Sequence, residues 1–350
     1  MSNIIFYVSS LVLSILGCLF SNNWIIIWFW VELQSLALIP ILSSNISPRS
    51  IESTNKYFLF QATGSIILLT GILIRLFFSG NILLQGNYNW IEYSIIVISL
   101  CIKMGIFPTH FWFVDVMQGI NFWSGFFIVI PSKIIPIYII INISNSFAII
   151  LLSIIGVISV IIGSILGVHQ IQLRKLIALS SIAHLGWIVI TFPNINNWFG
   201  MILFLSYTIM ITPLIWVGNI YSLEHLSKTN NISNNFSLSS ILLISILSMA
   251  GFPPLLGFFY KWLIFYIILN NQSLIIIVIL ISASLLSLYF YLQICIGSYI
   301  MQWPLSKTLF SNSFFLLNTN LISLWIIIIA NTSILYTLWS VLPLISTWNI

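Results

Sequence analysis

Long continuous apolar segments run through this sequence and restrict the folds open to it. Of the 350 residues, 60% are hydrophobic and 4% are charged, and the mean hydropathy is +1.14. Such a chain has too few polar groups to cover the surface of a soluble domain. Runs such as 147–168 and 321–330 lack the apolar–polar alternation of a membrane β-barrel. The sequence therefore predicts an all-α polytopic membrane protein.

Runs of about 20 apolar residues are each long enough to cross a bilayer, and they predict about eleven transmembrane helices. The predicted spans begin near Ile4, Trp24, Tyr57, Ser94, Asn121, Phe147, Ile171, Trp198, Leu238, Ser273 and Leu321. Loop cations occur only in alternate loops, at Arg49, Lys56, Arg174, Lys175, Lys228 and Lys307. Since Lys and Arg accumulate on one side of the membrane, we expect the N-terminus on that positive side and the C-terminus opposite. We expect Arg75, near the end of span three, to snorkel to the interface.

Five ionisable side chains lie within segments that otherwise read as lipid-soluble helix: Glu32, Lys103, Lys133, His184 and Lys261. A charge near the bilayer centre costs about 3 kcal/mol on insertion scales, so it persists mainly where it pairs or lines a wet cavity. The set indicates an ion or proton path. For each residue alone, a structural ion pair or a satisfied polar contact is the alternative interpretation. Glu32 and Lys103 lie on neighbouring spans and should form a charge pair.

Two predicted spans contain proline within a shared Met-x-x-Phe-Pro element, from Met104 to Pro108 in span four and from Met249 to Pro253 in span nine. Proline removes a backbone donor and clashes with the preceding turn, so each helix should be broken there. The two elements are five spans apart and therefore cross the membrane in opposite directions. Inverted-repeat transporters have interrupted helices of this kind at their ion sites. Two unrelated kinks are the alternative.

The spacing of these elements predicts two inverted five-helix repeats with broken helices at Pro108 and Pro253. The first half would comprise residues 1–145 and the second half residues 146–300. A C-terminal loop and the last span would occupy residues 301–350.

No part of the sequence predicts a redox cofactor. Cys18, Cys101 and Cys295 lie in separate apolar runs without the spacing of metal ligands, and we expect them to be core residues. No Gly-x-Gly-x-x-Gly motif follows a strand. The net charge of +5 reflects the cationic loops rather than a nucleic-acid surface. We therefore predict no catalytic residue, metal, cofactor or nucleic acid on this chain, and contacts with lipid.

Three segments resemble a known family. They are Lys-Met-Gly through Pro-Thr-His-Phe-Trp at 103–112, Gln-Leu-Arg-Lys through Ser-Ser-Ile-Ala-His-Leu-Gly-Trp at 172–187, and Gly-Phe-Pro-Pro-Leu-Leu-Gly-Phe with a following Lys-Trp at 251–262. Over most of its length the chain is similar to the subunit 2 family of mitochondrial respiratory complex I. It has room for about eleven spans, like the shortened animal form, rather than about fourteen. Matches beyond Lys307 are weak.

This resemblance implies an antiporter-like, Mrp-related, proton-pumping subunit of the membrane arm. Glu32 and Lys103 would be the paired carboxylate and lysine, Lys133 the central lysine, and Lys261 the distal one. NADH, FMN, iron–sulfur clusters and ubiquinone would bind to partner subunits. Other antiporter-like subunits and small membrane subunits would be neighbours. The location implied is the mitochondrial inner membrane, with the N-terminus in the matrix and the C-terminus in the intermembrane space.

The sequence thus predicts a core membrane subunit of a proton-translocating NADH:ubiquinone oxidoreductase. Its buried Glu, Lys and His residues would carry protons, coupled to electron transfer in other subunits. A stand-alone cation/proton antiporter is the first alternative, although a hard cation would favour more intramembrane carboxylates than Glu32 alone. A structural spacer is the second alternative, and the set of buried lysines argues against it.

Overall fold

The computed structural model describes residues 2–45, 47–84, 86, 88–144, 148–221, 236–253, 255–271 and 274–299. Within these ranges the regular elements are helical, apart from isolated bridge residues, among them Asn23 and Leu83, which pair in the antiparallel sense. The helices are α1 (Ser2–Phe20), α2 (Trp24–Leu42), α3 (Pro48–Ser79), α4 (Trp90–Met104), α5 (His110–Gly119), α6 (Phe122–Val129), α7 (Pro131–Ile143), α8 (Ala148–Val168), α9 (Leu173–Thr191), α10 (Asn197–Ile220), α11 (Phe236–Ala250), α12 (Leu256–Asn271) and α13 (Leu274–Tyr299). A short 3-10 helix, Phe192–Asn194, follows α9.

The all-helical fold is confirmed for the described residues. Seven helical segments there are long and apolar enough to cross a membrane, and shorter apolar helices accompany them. Helices α6 and α7 together form one such segment, Phe122–Ile143. The predicted eleventh span near Leu321 and the loop cations Lys228 and Lys307 lie outside the described residues.

Helix α3 begins earlier than predicted, at Pro48 rather than near Tyr57. Ser47 and Ser50 form a reciprocal capping box at its start, and Pro48 occupies the first turn, where its missing N–H costs nothing. Local capping therefore extends the helix through a polar segment that hydropathy alone assigns to a loop.

The interruption predicted in span four is present. Helix α4 ends at Met104, and α5 begins at His110, two residues after Pro108. Gly105 has a left-handed φ of 69°, and the Ile106 N–H donates to the Cys101 carbonyl at 3.2 Å. These features form a glycine-capped helix end, which a residue with a Cβ would adopt only under strain.

The interruption predicted in span nine is also present and uses the same type of helix end. Helix α11 ends at Ala250, and α12 begins at Leu256. Gly251 has φ 84°, and the Phe252 N–H donates to the Leu247 carbonyl at 3.1 Å.

The two helix ends correspond through their glycines rather than through the Met-x-x-Phe-Pro element. Gly105 stands three residues before Pro108, whereas Gly251 stands two residues before Pro253. When the two helix ends are aligned on their glycines, the two Met-x-x-Phe-Pro elements are therefore out of register by one residue.

The chain forms two compact units. Unit 1 contains Met1–Gly163 and Ser181–Met201, and unit 2 contains Ser164–Ser180 and Ile202–Ile350. In unit 1, α1 packs on α2, α3 packs on α4 and α5, and α4 packs on α7. In unit 2, α11 packs on α12 and α13. The predicted halves 1–145 and 146–300 are the two copies of a proposed inverted repeat, which the packing units do not test. They stay a prediction.

The expectation that Arg75 snorkels to the interface is wrong. Its side chain is 1% exposed, and its guanidinium carbon lies 3.7 Å from the centre of the Tyr88 ring. The loop carrying Tyr88 is held in place in part by the Leu84 N–H, which donates to the Asn22 carbonyl at 2.8 Å. Burial raises the pKa of Tyr88 to about 12, so its ring is neutral beneath the cation. A cation–π contact inside the protein therefore takes the place of hydration.

Candidate proton path

Four of the five candidate residues belong to unit 1, namely Glu32, Lys103, Lys133 and His184, whereas Lys261 belongs to unit 2. The three lysines and His184 are buried, with exposed fractions between 0 and 8%. Glu32 is half-buried. The structure therefore encloses the cationic candidates in protein instead of directing them toward lipid.

Lys103 lies in the last turn of α4, beside the first interruption, and α3 holds it there. The Lys103 ammonium donates to the Gln61 backbone carbonyl at 3.4 Å, and the Gln61 side-chain amide donates to the Lys103 carbonyl at 3.1 Å. A Cβ on Gly64 would lie 3.0 Å from Lys103 Cγ, so the glycine leaves room for the lysine stem. Because the last carbonyls of a helix have no partner within it, the Gln61 amide replaces a missing helix donor.

A tryptophan satisfies a second carbonyl at the end of α4. The Trp112 indole Nε1 donates to the Ile102 carbonyl at 3.0 Å. The indole is stacked on Phe60, with ring centroids 6.0 Å apart, and its edge meets Tyr57. Side chains of α3 and α5 together therefore stabilise the broken end of α4.

The expected direct ion pair between Glu32 and Lys103 is not formed. Both ion pairs within 4.0 Å in the described part of the chain involve Lys56, near the start of α3. The Glu32 carboxylate instead accepts a hydrogen bond from Ser35 Oγ at 3.3 Å. Helices α2 and α4 each pack on α3, but this arrangement does not bring the two charges into contact.

Lys133 is completely buried, with 0% of its side chain exposed. Its ammonium donates to Ser181 Oγ at 3.2 Å and lies 4.2 Å from the centre of the Phe113 ring. Helix α7 begins at Pro131, whose carbonyl accepts a hydrogen bond from Gln34 Nε2 at 2.8 Å. The buried ammonium is thus contacted by a hydroxyl and an aromatic face rather than by a carboxylate.

His184 lies on α9, three residues after Ser181 and on the same helical face. Helices α8 and α9 approach closely beside it, since a Cβ on Gly156 would lie 2.8 Å from the Gly186 carbonyl oxygen. A Cβ on Gly186 would collide with Ser159 Oγ. Small residues permit such contact between membrane helices, and here they fix the rotation of α9.

Lys261 lies on α12, and its ammonium donates to the Ala250 carbonyl at 2.9 Å. Ala250 is the last residue of α11, so the cation lies at a helix C-terminus, where the backbone dipoles favour positive charge. A Cβ on Gly251 would lie 3.2 Å from the Lys261 Nζ. Gly251 therefore provides both the left-handed turn and the space for the lysine.

No metal centre is formed by the described residues, where no group of three His, Cys, Asp or Glu side chains comes together. Cys18, Cys101 and Cys295 are buried, as expected of core residues. The chemistry offered by the candidate residues is hydrogen bonding and the binding and release of protons.

Residues 21–287 match the family model described as NADH:quinone oxidoreductase/Mrp antiporter, TM. The chain is 34% identical over 301 residues to NADH-ubiquinone oxidoreductase chain 2 of Pisaster ochraceus, covering 84% of each chain. The same-named protein of Halichoerus grypus is 34% identical over 288 residues, covering 81% of this chain and 82% of its own.

Solved structures show the same fold at lower identity. A chain of respiratory complex I from Thermus thermophilus has a TM-score of 0.75 and 21% identity, covering 85% of this chain and 71% of its own. A chain of an Mrp complex from a Dietzia species has a TM-score of 0.76 and 17% identity, covering 83% of this chain and 59% of its own. From the family model and the relatives above, this chain belongs to the NADH:quinone oxidoreductase/Mrp antiporter transmembrane family.

Proposed function

We infer that this chain is a core membrane subunit of proton-translocating NADH:ubiquinone oxidoreductase, respiratory complex I. Relatives named as chain 2 of that enzyme align with more than four fifths of it. The observation that carries the inference is Lys133, a buried cation held by a hydroxyl and a ring. A membrane protein keeps such an expensive group where an ion or proton pathway uses it.

The proposed proton path comprises Glu32, Lys103, Lys133 and His184 in unit 1, and Lys261 in unit 2. A carboxylate in direct contact would retain the proton of a lysine strongly. The described contacts of Lys133 and Lys261 are instead a hydroxyl, an aromatic ring and a backbone carbonyl. These neutral groups stabilise an ammonium while leaving it able to lose its proton to a passing acceptor.

The proposed architecture has about eleven spans and two inverted five-helix repeats, residues 1–145 and 146–300. The matching glycine-capped ends of α4 and α11 support this symmetry. The broken ends would stand at equivalent points of the two halves and give water access to the lysines.

The proposed setting is the mitochondrial inner membrane, where the protein would be multi-pass. The N-terminus would lie on the side of the cationic loops, which the family resemblance implies is the matrix, and the C-terminus in the intermembrane space. Other membrane-arm subunits of complex I would be its neighbours. NADH, FMN, iron–sulfur clusters and ubiquinone would bind to those and other partners.

A stand-alone cation/proton antiporter is the second candidate, favoured by the fold shared with a chain of an Mrp complex. Purifying the native assembly and measuring NADH-driven proton uptake in sealed vesicles separates the two functions. Complex I predicts that the chain co-purifies with NADH-oxidising subunits and that proton movement requires NADH. Isolation of the chain alone, with cation-driven proton exchange in the absence of NADH, would establish the antiporter instead.

A further inference from the structure

We propose that Ser181 is a positioning residue for the proton path, and that its hydroxyl fixes the Lys133 ammonium against the face of Phe113. This inference rests on the proposed role of Lys133. The sequence does not single out Ser181, because a serine within an apolar helix usually bonds only to its own backbone.

The contacts of Lys133 single out this serine. Ser181 Oγ accepts from the Lys133 ammonium at 3.2 Å, and both side chains are 0% exposed. It is the hydrogen-bond acceptor of that ammonium among the described residues. A lysine ammonium has three donors, so a single acceptor fixes its direction without surrounding it.

The Phe113 ring, which is the second contact of the Lys133 ammonium, is itself held in place. A Cβ on Gly105 would lie 2.6 Å from Phe113 Cβ, so Phe113 packs directly on the glycine that ends α4. The Lys133 ammonium therefore lies between a hydroxyl of α9 and a ring that packs on the first interruption. Loss of the hydroxyl would leave the ring contact alone and allow the flexible lysine to adopt other rotamers.

The rotation of α9 directs Ser181, and not the adjacent Ser180, toward Lys133. Close packing between Gly156 and Gly186 sets that rotation. Ser180 Oγ instead donates to the Ile177 carbonyl at 2.8 Å, within its own helix. The two neighbouring serines thus have the same chemistry and burial but different partners, and they form a matched pair for an experiment.

The experiment compares Ser181→Ala with Ser180→Ala in the assembled complex, reconstituted in sealed vesicles. The measurement is the initial rate of NADH-driven proton uptake, at equal amounts of assembled enzyme. We expect Ser181→Ala to lower proton translocation by about tenfold, the effect of losing a hydrogen bond to a charged group. Ser180→Ala should stay within about twofold of the wild type. Equal results for the two variants would overturn the inference.

Two further variants keep the test decisive if the alanine variant fails to assemble. Ser181→Thr retains a hydroxyl, and Ser181→Val has nearly the same shape without one. We expect the threonine variant to pump and the valine variant to be impaired. Pumping by both, or by neither when both assemble, would reject a role for the hydroxyl.

Lys133→Met separates failure of this inference from failure of the proposed function. If Lys133→Met pumps normally, the proton path through Lys133 is wrong. If Lys133→Met is inactive and Ser181→Ala is normal, only the role of Ser181 is wrong. In a Lys133→Met enzyme with residual pumping, Ser181→Ala should cause no further loss, since a positioning residue acts through the group it positions.

Discussion

The two interrupted helices end alike but are stabilised differently. Gly105 and Gly251 both turn the chain with a positive φ, and the following residue bonds back to the helix in each case. At the first end, neutral side chains from neighbouring helices satisfy the carbonyls. At the second end, the Lys261 ammonium satisfies the last helical carbonyl itself.

In unit 1 the group that caps the broken helix is different from the candidate proton carrier, whereas in unit 2 one residue has both positions. In unit 1 the Gln61 amide holds the backbone of Lys103, so the broken end does not require the lysine charge. In unit 2 the ammonium of Lys261 is both the cap of α11 and the candidate proton carrier. Loss of the proton there would weaken a charge-assisted bond at a helix end. If Lys261 carries protons as proposed, release of its proton would therefore affect the conformation of the second interruption.

The largest effect on stability is expected from adding a Cβ at Gly105, the glycine that follows the end of α4. Gly105→Ala forces a left-handed residue and a 2.6 Å approach to Phe113 Cβ, an atom that cannot move without the backbone of α5 to which it is bonded. We expect destabilisation of about 3 kcal/mol or more, measured as loss of assembled complex and of its thermal midpoint. Gly251→Ala meets the same left-handed strain, but its nearest neighbours are atoms of the flexible Lys261 side chain at 3.1–3.4 Å, so it should assemble better but pump less. An equal loss of assembly in both variants would remove the proposed distinction.

The next effect concerns the double role of Lys261. Lys261→Met removes the cap and the carrier, and the uncapped carbonyl should cost about 1–3 kcal/mol of stability. Lys261→Arg keeps a cation at the helix end but does not release its proton, so it should restore stability and not proton translocation. Thermal midpoints and NADH-driven proton uptake measure the two properties separately. Lys56→Met, at a partly exposed lysine, is the control. Normal pumping by Lys261→Arg would show that Lys261 only caps the helix.

A smaller effect is expected when the neutral cap of the first interruption is removed. Gln61→Leu deletes the amide that donates to the Lys103 carbonyl and leaves the lysine charge in place. The loss of stability should be about 1 kcal/mol, the usual net value of a neutral hydrogen bond. Thr63→Val, at an exposed position two residues along the same helix, is the matched control. Collapse of pumping with unchanged stability would mean that Gln61 takes part in proton transfer.

Hydropathy and backbone chemistry were sufficient to predict the helical fold and both interruptions. Continuous apolar segments permit few other folds in a membrane, and Pro108 and Pro253 cannot continue a helix without loss of a hydrogen bond. The register of the helix ends was not predictable from the Met-x-x-Phe-Pro element. Glycine conformation decides where each helix stops, and the prolines follow at unequal distances.

The hydrogen-bond and ring partners of the buried lysines could not be predicted from the sequence, because they depend on which helices pack together and how each helix is rotated. Phe113 lies on an earlier helix than Lys133 and Ser181 lies on a later one, and neither belongs to a recognisable motif. Arg75 illustrates the opposite error. Snorkelling assumes an isolated helix end, but here a loop covers the arginine with Tyr88.

The smallest effect is expected for Glu32 and Lys103, which the sequence predicts to pair but which are not in contact in the structure. Because Glu32 and Lys103 make no direct contact among the described residues, neutralising both should be nearly the sum of neutralising each. A double-mutant cycle with Glu32→Gln and Lys103→Met, read as the stability of the assembled complex, should give a coupling energy below about 1 kcal/mol. A larger coupling would mean that the carboxylate reaches the ammonium in some working state of the enzyme. The first interruption would then depend on a charge in the way that the second does.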